Sequence, residues 1–229
     1  MKSITYLIKD NKSINGESRH DITPSKIVCI GRNYVAHAKE LGNAVPSTPI
    51  IFLKPNSAIS SSLTSSGITL SRSSEGIVNH ETEAHHYESE LCFLIKDKSI
   101  VAVGFGLDLT RRHTQQKLKQ QGLPWERAKV FDGAAVFSDF VPVEPSDISN
   151  LSLSLEINNT LVQKGSVAMM LFKPMDIIDE VASFLSLEDG DIIMTGTPAG
   201  VGVINKNDHF TGCVYLNNNK LIEHKWIAI

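Results

Sequence analysis

Two glutamates, Glu88 and Glu90, stand two residues apart around the start of the apolar run "ELCFLI". In a strand, residues two apart point to the same face, so these carboxylates are expected to project together. Like charges so close repel each other unless one group is protonated or a cation lies between them. A strand that ends in solvent could also tolerate the pair, because water screens the charges strongly. The pair alone leaves both interpretations open.

A third carboxylate, Asp108, closes the next apolar run, "IVAVGFGLD". At the end of a buried strand a carboxylate is poorly solvated unless it is paired. Together with Glu88 and Glu90 it could form an all-oxygen site, which selects hard cations, Mg²⁺ first and then Mn²⁺ or Ca²⁺. Three protein ligands would leave about three octahedral positions for water and substrate. The sequence therefore indicates a divalent-metal site.

The stretch "HETEAHH" before these glutamates contains three histidines, His80, His85 and His86. A zinc-protease helix requires His-Glu-x-x-His, with ligands four residues apart, whereas His80 and His85 are five apart. No cysteine cluster adds further zinc ligands. A solvated, flexible loop is therefore expected here rather than a zinc site.

The stretch "GRNYVAHAKEL" (31–41) is dense in polar functional groups. His37 and Glu40 are spaced i, i+3 on a predicted helix, so their side chains can touch. A carboxylate beside an imidazole orients the ring and raises its basicity, which suits a general base. An ordinary surface ion pair fits the same spacing, and the spacing by itself favours it.

Two further features have both a functional and an ordinary interpretation. Lys129 lies just before an apolar stretch, where its ammonium could stabilise an oxyanion or simply reach along apolar surface to water. The turn-rich "TGTPAGVG" (195–202) could bind an anion through backbone N–H groups, or it is a plain strand-to-loop turn. It lacks both the P-loop Gly-Lys-Ser/Thr and the Gly-x-Gly-x-x-Gly dinucleotide spacing.

The composition excludes several classes of protein. The 229 residues suit one large domain or two small ones, and the net charge of −3 argues against a nucleic-acid partner. The sequence has no run of eighteen apolar residues, so no membrane span is expected. The stretch "MKSITYLIKDNKS" has no apolar signal core. Cys29, Cys92 and Cys213 lie in apolar contexts, which favours reduced, buried thiols in a cytoplasmic protein.

Short strands dominate the predicted elements, with few helices between them. Strictly alternating residues 151–157 predict a strand followed by a hairpin turn at Asn158-Asn159, and a second turn is expected at 217–219. Helices are predicted at 35–41, at 111–121 with Thr110 as N-cap and Gly122 beyond the end, and at 175–185. The serine-rich stretch 57–74 is expected to be a mobile loop or a pair of edge strands. Further strands are predicted at 26–31, 49–54, 90–95, 100–109, 191–196, 213–217 and 220–229.

Four motifs in order, "GRNYVAHAKEL", "HYESEL", "LDLTRRHTQQKLKQQGLPWERAKVF" and "GDIIMTGTPAGVG", resemble the fumarylacetoacetate hydrolase family. The similarity is greatest to its short, single-domain branch of acylpyruvases and oxaloacetate decarboxylases or tautomerases. It covers residues 26–229, so residues 1–25 are predicted to be a short N-terminal strand extension to one catalytic domain. The resemblance implies a β-dominated α+β fold, a rolled mixed β-sandwich with few short helices.

The resemblance also implies roles for particular residues. Mg²⁺ or Mn²⁺ would bind Glu88, Glu90 and Asp108, the same triad that the charge argument indicates. His37 would be the catalytic base on a lid segment, with Glu40 orienting it, and Lys129 would bind and polarise the substrate. Further substrate-binding residues are predicted from the lid segment, the polar helix and the glycine-rich turn: Arg32, Arg112, Gln115 and Thr197.

The activity implied is cleavage of a carbon–carbon bond in a small 2-keto acid through a metal-bound enolate, as acylpyruvate hydrolysis or oxaloacetate decarboxylation. The alternative is a keto–enol tautomerase or isomerase of oxaloacetate or of a ring-opened hydroxymuconate-type dicarboxylate. A catalytically inactive binding module is the remaining alternative, which the intact His37, Glu40 and Lys129 set argues against. A cytoplasmic homodimer without nucleic-acid or membrane partners is expected.

This chain departs from the family's pattern at several points. His113 follows Arg112 where relatives have aspartate, and "VFDGAAVF" follows Lys129 where relatives have a serine and then Cys-Pro. The link between Glu90 and Asp108 is shorter than usual, and the loop before Glu88 is longer. The first two differences bear on the shape of the pocket and hence on the substrate.

Overall fold

The computed structural model describes residues 1–9, 17–73 and 76–229. Strands dominate this part of the chain and the helices are few and short, which confirms the predicted fold class. The longest helices span nine residues, so no helix of the described residues is long and apolar enough to cross a bilayer. The helices are α1 (Val35–Glu40), α2 (Arg112–Gln120), α3 (Glu126–Lys129) and α4 (Pro174–Ala182).

Two sheets form the two layers of the sandwich. The larger is mixed, in the order β4-β3-β15-β8-β9-β11-β5 with β12 beside β9, and the smaller is antiparallel, in the order β14-β13-β17-β18. Strand β7 pairs with β6, β10 and β16, and β1 pairs with β2. The strands are β1 (Ile4–Lys9), β2 (Glu17–Ile22), β3 (Lys26–Gly31), β4 (Ile50–Pro55), β5 (Ile59–Ser60), β6 (Ser66–Ser73), β7 (Gly76–Tyr87), β8 (Ser89–Lys96), β9 (Ser99–Asp108), β10 (Thr110–Arg111), β11 (Ala135–Phe137), β12 (Val141–Pro142), β13 (Leu151–Ile157), β14 (Thr160–Ser166), β15 (Ile192–Met194), β16 (Gly202–Val203), β17 (His209–Leu216) and β18 (Asn219–Ile227).

Asparagine turns set the register of the smaller sheet, as predicted. Asn158 and Asn159 have φ of 51° and 64°, and Asn217 and Asn218 have 49° and 67°. Asparagine tolerates this left-handed region better than most residues, so each pair closes a tight hairpin between neighbouring antiparallel strands. The turns therefore bring β13–β14 and β17–β18 into one four-stranded layer.

The main core lies between the two sheets. Leu91 and Phe93 of β8 and Phe105 of β9 are fully buried in one cluster with Phe210 and Val214 of β17. The Phe105 ring lies 6.0 Å from that of Trp226, between ring centroids. The alternate residues of β8, beginning with Glu90, face the opposite side of the large sheet. This alternation sends Leu91 and Phe93 into the sandwich and leaves Glu90 on the other face, where Cys92 and Leu94 belong to a second buried apolar cluster.

Some local predictions hold and others are wrong. Thr110 is not the N-cap of α2: it lies in β10 opposite His86, and the helix begins after Arg111. The predicted loop "HETEAHH" belongs to β7, and His85 is buried rather than solvated. A zinc site there would need the His80 side chain, which lies outside what the structure describes.

Two predicted features fall partly on residues outside the described ranges. The serine-rich stretch contains β5, at the edge of the large sheet, and β6, which is paired on one side by β7; residue 74 lies outside the described residues. The N-terminal stretch 1–25 contains the β1–β2 pair, with residues 10–16 outside the description. The division of the chain at residue 25 stays a prediction. All three cysteines are buried and unpaired, as expected.

Candidate active site

Three carboxylates meet where β8 and β9 begin and end. Glu88 precedes β8, Glu90 is the second residue of β8, and Asp108 is the last residue of β9. The backbone N–H of Asp108 donates to the Glu88 carbonyl over 2.9 Å. One carboxylate oxygen from each residue lies within 4.8 Å of the others, and all three side chains are buried. The antiparallel pairing of two consecutive strands thus brings together groups that are up to twenty positions apart in sequence.

Buried cations balance this negative charge. Lys129 Nζ lies 2.7 Å from Glu88 Oε2, 2.6 Å from Asp108 Oδ2 and 2.6 Å from Thr110 Oγ1. Lys54 Nζ lies 2.8 Å from Asp108 Oδ1 and donates a hydrogen bond to the Lys129 carbonyl oxygen. Both lysine side chains are almost inaccessible to solvent, so these ion pairs are only weakly screened.

The two glutamates have opposite electrostatic environments. Although burial disfavours the ionised form of Glu88, the Lys129 and Arg112 cations hold the pKa of this carboxyl well below its usual range. Burial, and then the neighbouring charge of Asp108, raise the pKa of Glu90 well above its usual range. The protein side chains alone therefore favour a charged Glu88 and a protonated Glu90, and a cation at the cluster would favour ionisation of both.

The turn after β15 holds Glu90 in place. The backbone N–H of Gly196 donates to Glu90 Oε2 over 2.6 Å, so this glycine-rich turn binds a carboxyl group of the protein itself. Gly196 has φ of +93°, and a Cβ there would lie 2.8 Å from the Cβ of Asn33 and 2.9 Å from the Ile30 carbonyl oxygen. Only glycine fits this approach, which explains the residue type in the motif.

His37 and Glu40 form the contact that their spacing allows. His37 Nδ1 lies 3.3 Å from Glu40 Oε2, and Glu40 Oε1 accepts a hydrogen bond of 2.9 Å from the Gly200 N–H. His37 is 4% exposed, and its burial lowers the pKa of the imidazole despite the raising effect of Glu88 and Glu40. The ring is therefore neutral near pH 7, with Nδ1–H directed at Glu40 and the lone pair left on Nε2. This arrangement favours the general-base interpretation over the surface pair.

One face of the polar helix α2 forms a wall of the pocket. Arg112 donates to Glu88 Oε1 through Nη2 and, over 2.9 Å, to Gln115 Oε1 through Nη1. Lys119, one turn beyond Gln115, lines the same pocket, as do Phe52 and Trp125, whose ring centroids are 5.9 Å apart. The scarcity of apolar residues in α2 follows from its position, because Arg112, Gln115 and Lys119 line this pocket and other polar residues, such as Gln116 and Lys117, are exposed to solvent.

Nine of the ten predicted site residues line one pocket. Glu40 is the exception and lies behind His37, in contact with its ring. The structure thus brings together all the side chains that the sequence analysis selected, and their catalytic and binding roles stay predictions. The nine are Arg32, His37, Glu88, Glu90, Asp108, Arg112, Gln115, Lys129 and Thr197.

Two buried residues of this site were not selected from the sequence. Lys54 pairs with Asp108, and it carried the same signal as Asp108, a charged residue that follows an apolar strand. Gln163 of β14 accepts from the Ser89 N–H over 3.0 Å and donates to Thr197 Oγ1 over 2.9 Å and to the Pro198 carbonyl over 2.8 Å. No local pattern distinguishes Gln163, because its partners are more than thirty positions away.

The donor set fits a divalent cation. Glu88, Glu90 and Asp108 offer carboxylate oxygens only, which hard cations prefer. Asp108 Oδ1 is buried and, among the described residues, accepts no hydrogen bond, since its contact with Lys54 lacks hydrogen-bond geometry. A carboxyl oxygen with a free lone pair beside two further carboxyl groups is the arrangement that a metal site needs.

The fold and the site together agree with one family. The model of the fumarylacetoacetate hydrolase C-terminal family matches residues 26–226. The chain belongs to the fumarylacetoacetate hydrolase family, which confirms the resemblance in the sequence.

Individual relatives are similar over most of their length. Oxaloacetate tautomerase YcgM of Escherichia coli is 39% identical over 197 residues, covering 83% of this chain and 89% of that protein. Human mitochondrial oxaloacetate tautomerase FAHD1 is 37% identical over 194 residues, covering 82% and 86%. The crystal structure of a candidate fumarylacetoacetate isomerase/hydrolase from Oleispira antarctica superposes with a TM-score of 0.81 at 37% identity, covering 92% of this chain and 96% of that one. These similarities support an enzyme that acts on keto acids.

Proposed function

We propose that this protein is a divalent-metal-dependent enzyme of small 2-keto acids, and that its reaction is the keto–enol tautomerisation of oxaloacetate. The observation that carries the proposal is a buried, neutral imidazole, His37, in the same pocket as a three-carboxylate metal site. Tautomerisation needs one base for a carbon-bound proton and stabilisation of the charge that moves to oxygen. The named activity of relatives that are 37–39% identical supports the same reaction.

The proton transfer falls to His37. Its Nε2 lone pair takes a proton from the methylene carbon between the two carbonyl groups of the substrate, and the C–H electron pair forms the new carbon–carbon double bond as charge moves to the keto oxygen. Protonation of that oxygen gives the enol, and the reverse sequence gives the ketone. Glu40 keeps the ring in the reactive tautomer by accepting from Nδ1–H and stabilises the imidazolium that forms.

Cationic side chains bind and orient the substrate in this proposal. Glu88 and Gln115 hold Arg112 at the pocket, so its remaining N–H groups would be directed toward the 2-keto acid group. The three N–H groups of Lys129 are already donated to Glu88, Asp108 and Thr110, so this residue would act through its positive charge. Gln115 and Thr197 add neutral hydrogen-bonding groups on either side. When bound at Glu88, Glu90 and Asp108, Mg²⁺ or Mn²⁺ would supply Lewis-acid stabilisation of the charge on the keto oxygen.

Carbon–carbon bond cleavage, the reaction favoured by the sequence, is the second candidate. The same neutral His37 could deprotonate a water that attacks the distal carbonyl of an acylpyruvate, and the charge moving to the keto oxygen would need the same stabilisation. Decarboxylation of oxaloacetate would need that stabilisation without any attacking water. The three reactions differ in the bond that breaks, so product analysis separates them.

The test follows enol absorbance and pyruvate release in parallel. Protein stripped of metal by a chelator is supplied with Mg²⁺ or Mn²⁺ and given oxaloacetate or acetylpyruvate separately. We expect fast, metal-dependent enol–keto exchange of oxaloacetate with little pyruvate. Pyruvate formed at the rate of substrate loss would establish cleavage instead, and neither signal with metal bound would refute both candidates.

Matched histidine variants distinguish the base from a general effect. Loss of a positioned general base lowers rates by about 10²–10⁴-fold, so His37→Gln should lose most of the exchange activity. His209→Gln removes an exposed imidazole on β17 and should leave it unchanged. Equal activity in both variants would exclude His37 as the base.

The expected homodimer and cytoplasmic location stay predictions. Some relatives carry the word mitochondrial in their names and others come from bacteria, so the similarity fits more than one compartment. Light scattering of the purified protein measures the assembly directly, and a mass of one chain would refute the dimer. The expectation of no nucleic-acid or membrane partner is likewise a prediction.

A further inference from the structure

The outer part of the pocket carries positive charge that no carboxylate of the described residues neutralises. Arg32 and Lys119 both line the pocket, and within the described chain neither makes an ion pair. Lys119 Nζ donates instead to a neutral acceptor, Asn43 Oδ1, over 2.7 Å. By contrast, Arg112 and Lys129, deeper in the same pocket, are each paired with Glu88.

Arg32 is held in an unusual backbone conformation. Its φ is +57°, in the left-handed region that costs a non-glycine residue stability. The next residue, Asn33, fixes this turn: its Nδ2 donates to the carbonyls of Phe172 and Thr195, and its Oδ1 accepts from the Phe172 N–H. Such over-determined strain is characteristic of functional sites, and here it places a guanidinium without a described partner at the pocket.

The cations at the rim are close enough to disfavour one another. Burial, and then the neighbouring guanidiniums of Arg32 and Arg112, lower the pKa of Lys119. An anion placed between Lys119 and Arg32 would relieve this repulsion and gain two charge-assisted contacts. The pocket itself offers four cationic and three carboxylate side chains, so a divalent cation would leave it strongly positive.

We propose that Lys119, oriented by Asn43, and Arg32 form a subsite for the second, distal carboxylate of a dicarboxylic 2-keto acid. The 2-keto acid end would lie at the carboxylate cluster and the distal carboxylate at the rim. This inference rests on the proposed function for the position of the keto acid end, and it deepens that function by assigning the residues that bind the distal carboxylate. Lys119 and Arg32 are then specificity-determining residues that select diacids over acylpyruvates with a neutral far end.

The test measures binding rather than turnover, so that it is independent of which reaction the site catalyses. In the presence of Mn²⁺, calorimetry compares malate with its 4-amide, which has the same shape but a neutral distal end. We expect malate to bind the wild-type protein more tightly. Because the subsite is partly exposed, the preference should fall by about three- to tenfold in Lys119→Gln and return in Lys119→Arg.

A control on the same helix separates local recognition from net charge. Lys117→Gln removes an exposed lysine that does not line the pocket, and it should keep the preference for malate. Asn43→Asp puts a carboxylate beside Lys119 and should weaken the preference as Lys119→Gln does. An unchanged ratio in Lys119→Gln, or equal binding of both ligands by wild type, would overturn the subsite. Failure of enol exchange with this preference intact would refute the proposed reaction and not the subsite.

Discussion

Replacing Gln163 with leucine tests whether one buried amide holds the two halves of the pocket together. Gln163 is 1% exposed and links the Ser89 N–H, between the two metal-site glutamates, to Thr197 and Pro198 in the turn that follows β15. Leucine has nearly the same size, so the change removes the polar contacts with little change in packing volume. The effect should therefore come from hydrogen bonding alone.

The magnitude follows from the groups left without partners. Gln163→Leu leaves the Ser89 N–H without its side-chain acceptor. It also removes the Gln163 hydrogen bond to the Pro198 carbonyl, whose remaining side-chain contact is the one of 3.4 Å from Thr197 Oγ1. Each unsatisfied buried group costs about 1–3 kcal/mol, so the free energy of unfolding should fall by roughly 2–4 kcal/mol. Loss of a group that orients metal ligands typically lowers metal affinity by about 10–100-fold. Because Gln163 orients the backbone between Glu88 and Glu90, the Mn²⁺ affinity of Gln163→Leu should fall within that range.

Two measurements and two controls check this reasoning. Urea unfolding gives the stability, and calorimetric titration with Mn²⁺ gives the metal affinity. Gln116→Leu replaces an exposed glutamine of α2 and should change neither by much. Thr197→Val removes one Gln163 contact but spares Ser89, so the Mn²⁺ affinity should stay within about twofold. A Gln163→Leu protein with wild-type stability and wild-type Mn²⁺ affinity would refute the linking role.

Three other predictions concern the charges of the site. Because burial and Asp108 raise the pKa of Glu90, a metal must displace a proton there, and the Mn²⁺ affinity should fall as the pH is lowered. Calorimetry in buffers of different ionisation enthalpy should detect about one proton released on Mn²⁺ binding to the wild-type protein and none with Glu90→Gln. Because burial lowers the pKa of His37, kcat/KM should decline with falling pH only below the ordinary histidine value of about 6.5; a midpoint above it would contradict His37 as the base. Lys54→Met leaves Asp108 short of a buried cation, so chemical denaturation should show a loss of about 3–5 kcal/mol without metal and a smaller loss with Mn²⁺, and equal losses would contradict the pairing.

Local patterns were sufficient for much of the fold. The strands at 26–31 and 151–157 have the predicted bounds, because an apolar run and a strict alternation are properties of the segment itself. The loop predicted for "HETEAHH" was wrong for a different reason. Its polar residues carry no strand signal, and the segment is extended because β7 pairs with β6, β10 and β16, partners that a local pattern does not identify.

The site shows the same division between local and long-range information. The carboxylate triad could be predicted from the sequence, because Glu88, Glu90 and Asp108 stand at the ends of two consecutive strands that pair antiparallel with each other. Lys54 and Gln163 come from other strands, and only the folded chain brings them to the triad. The sequence was therefore sufficient to select the groups that meet in one pocket, while the groups that hold them in place required the structure.

The balance of charge at the site bears both on its burial and on the proposed preference for a dianion. Three carboxyl groups near the floor of the pocket face three paired cations, Lys54, Lys129 and Arg112, so the inner cluster becomes neutral as an assembly once Glu90 is ionised. Burying a balanced cluster costs far less than burying an unpaired charge. A divalent cation, which favours that ionisation, would add two positive charges, and a substrate with two carboxylates would offset both of them, whereas a monoanion would offset one. Arg32 and Lys119 at the rim would add to this preference, so the proposed selection of a diacid would follow from charge as much as from shape.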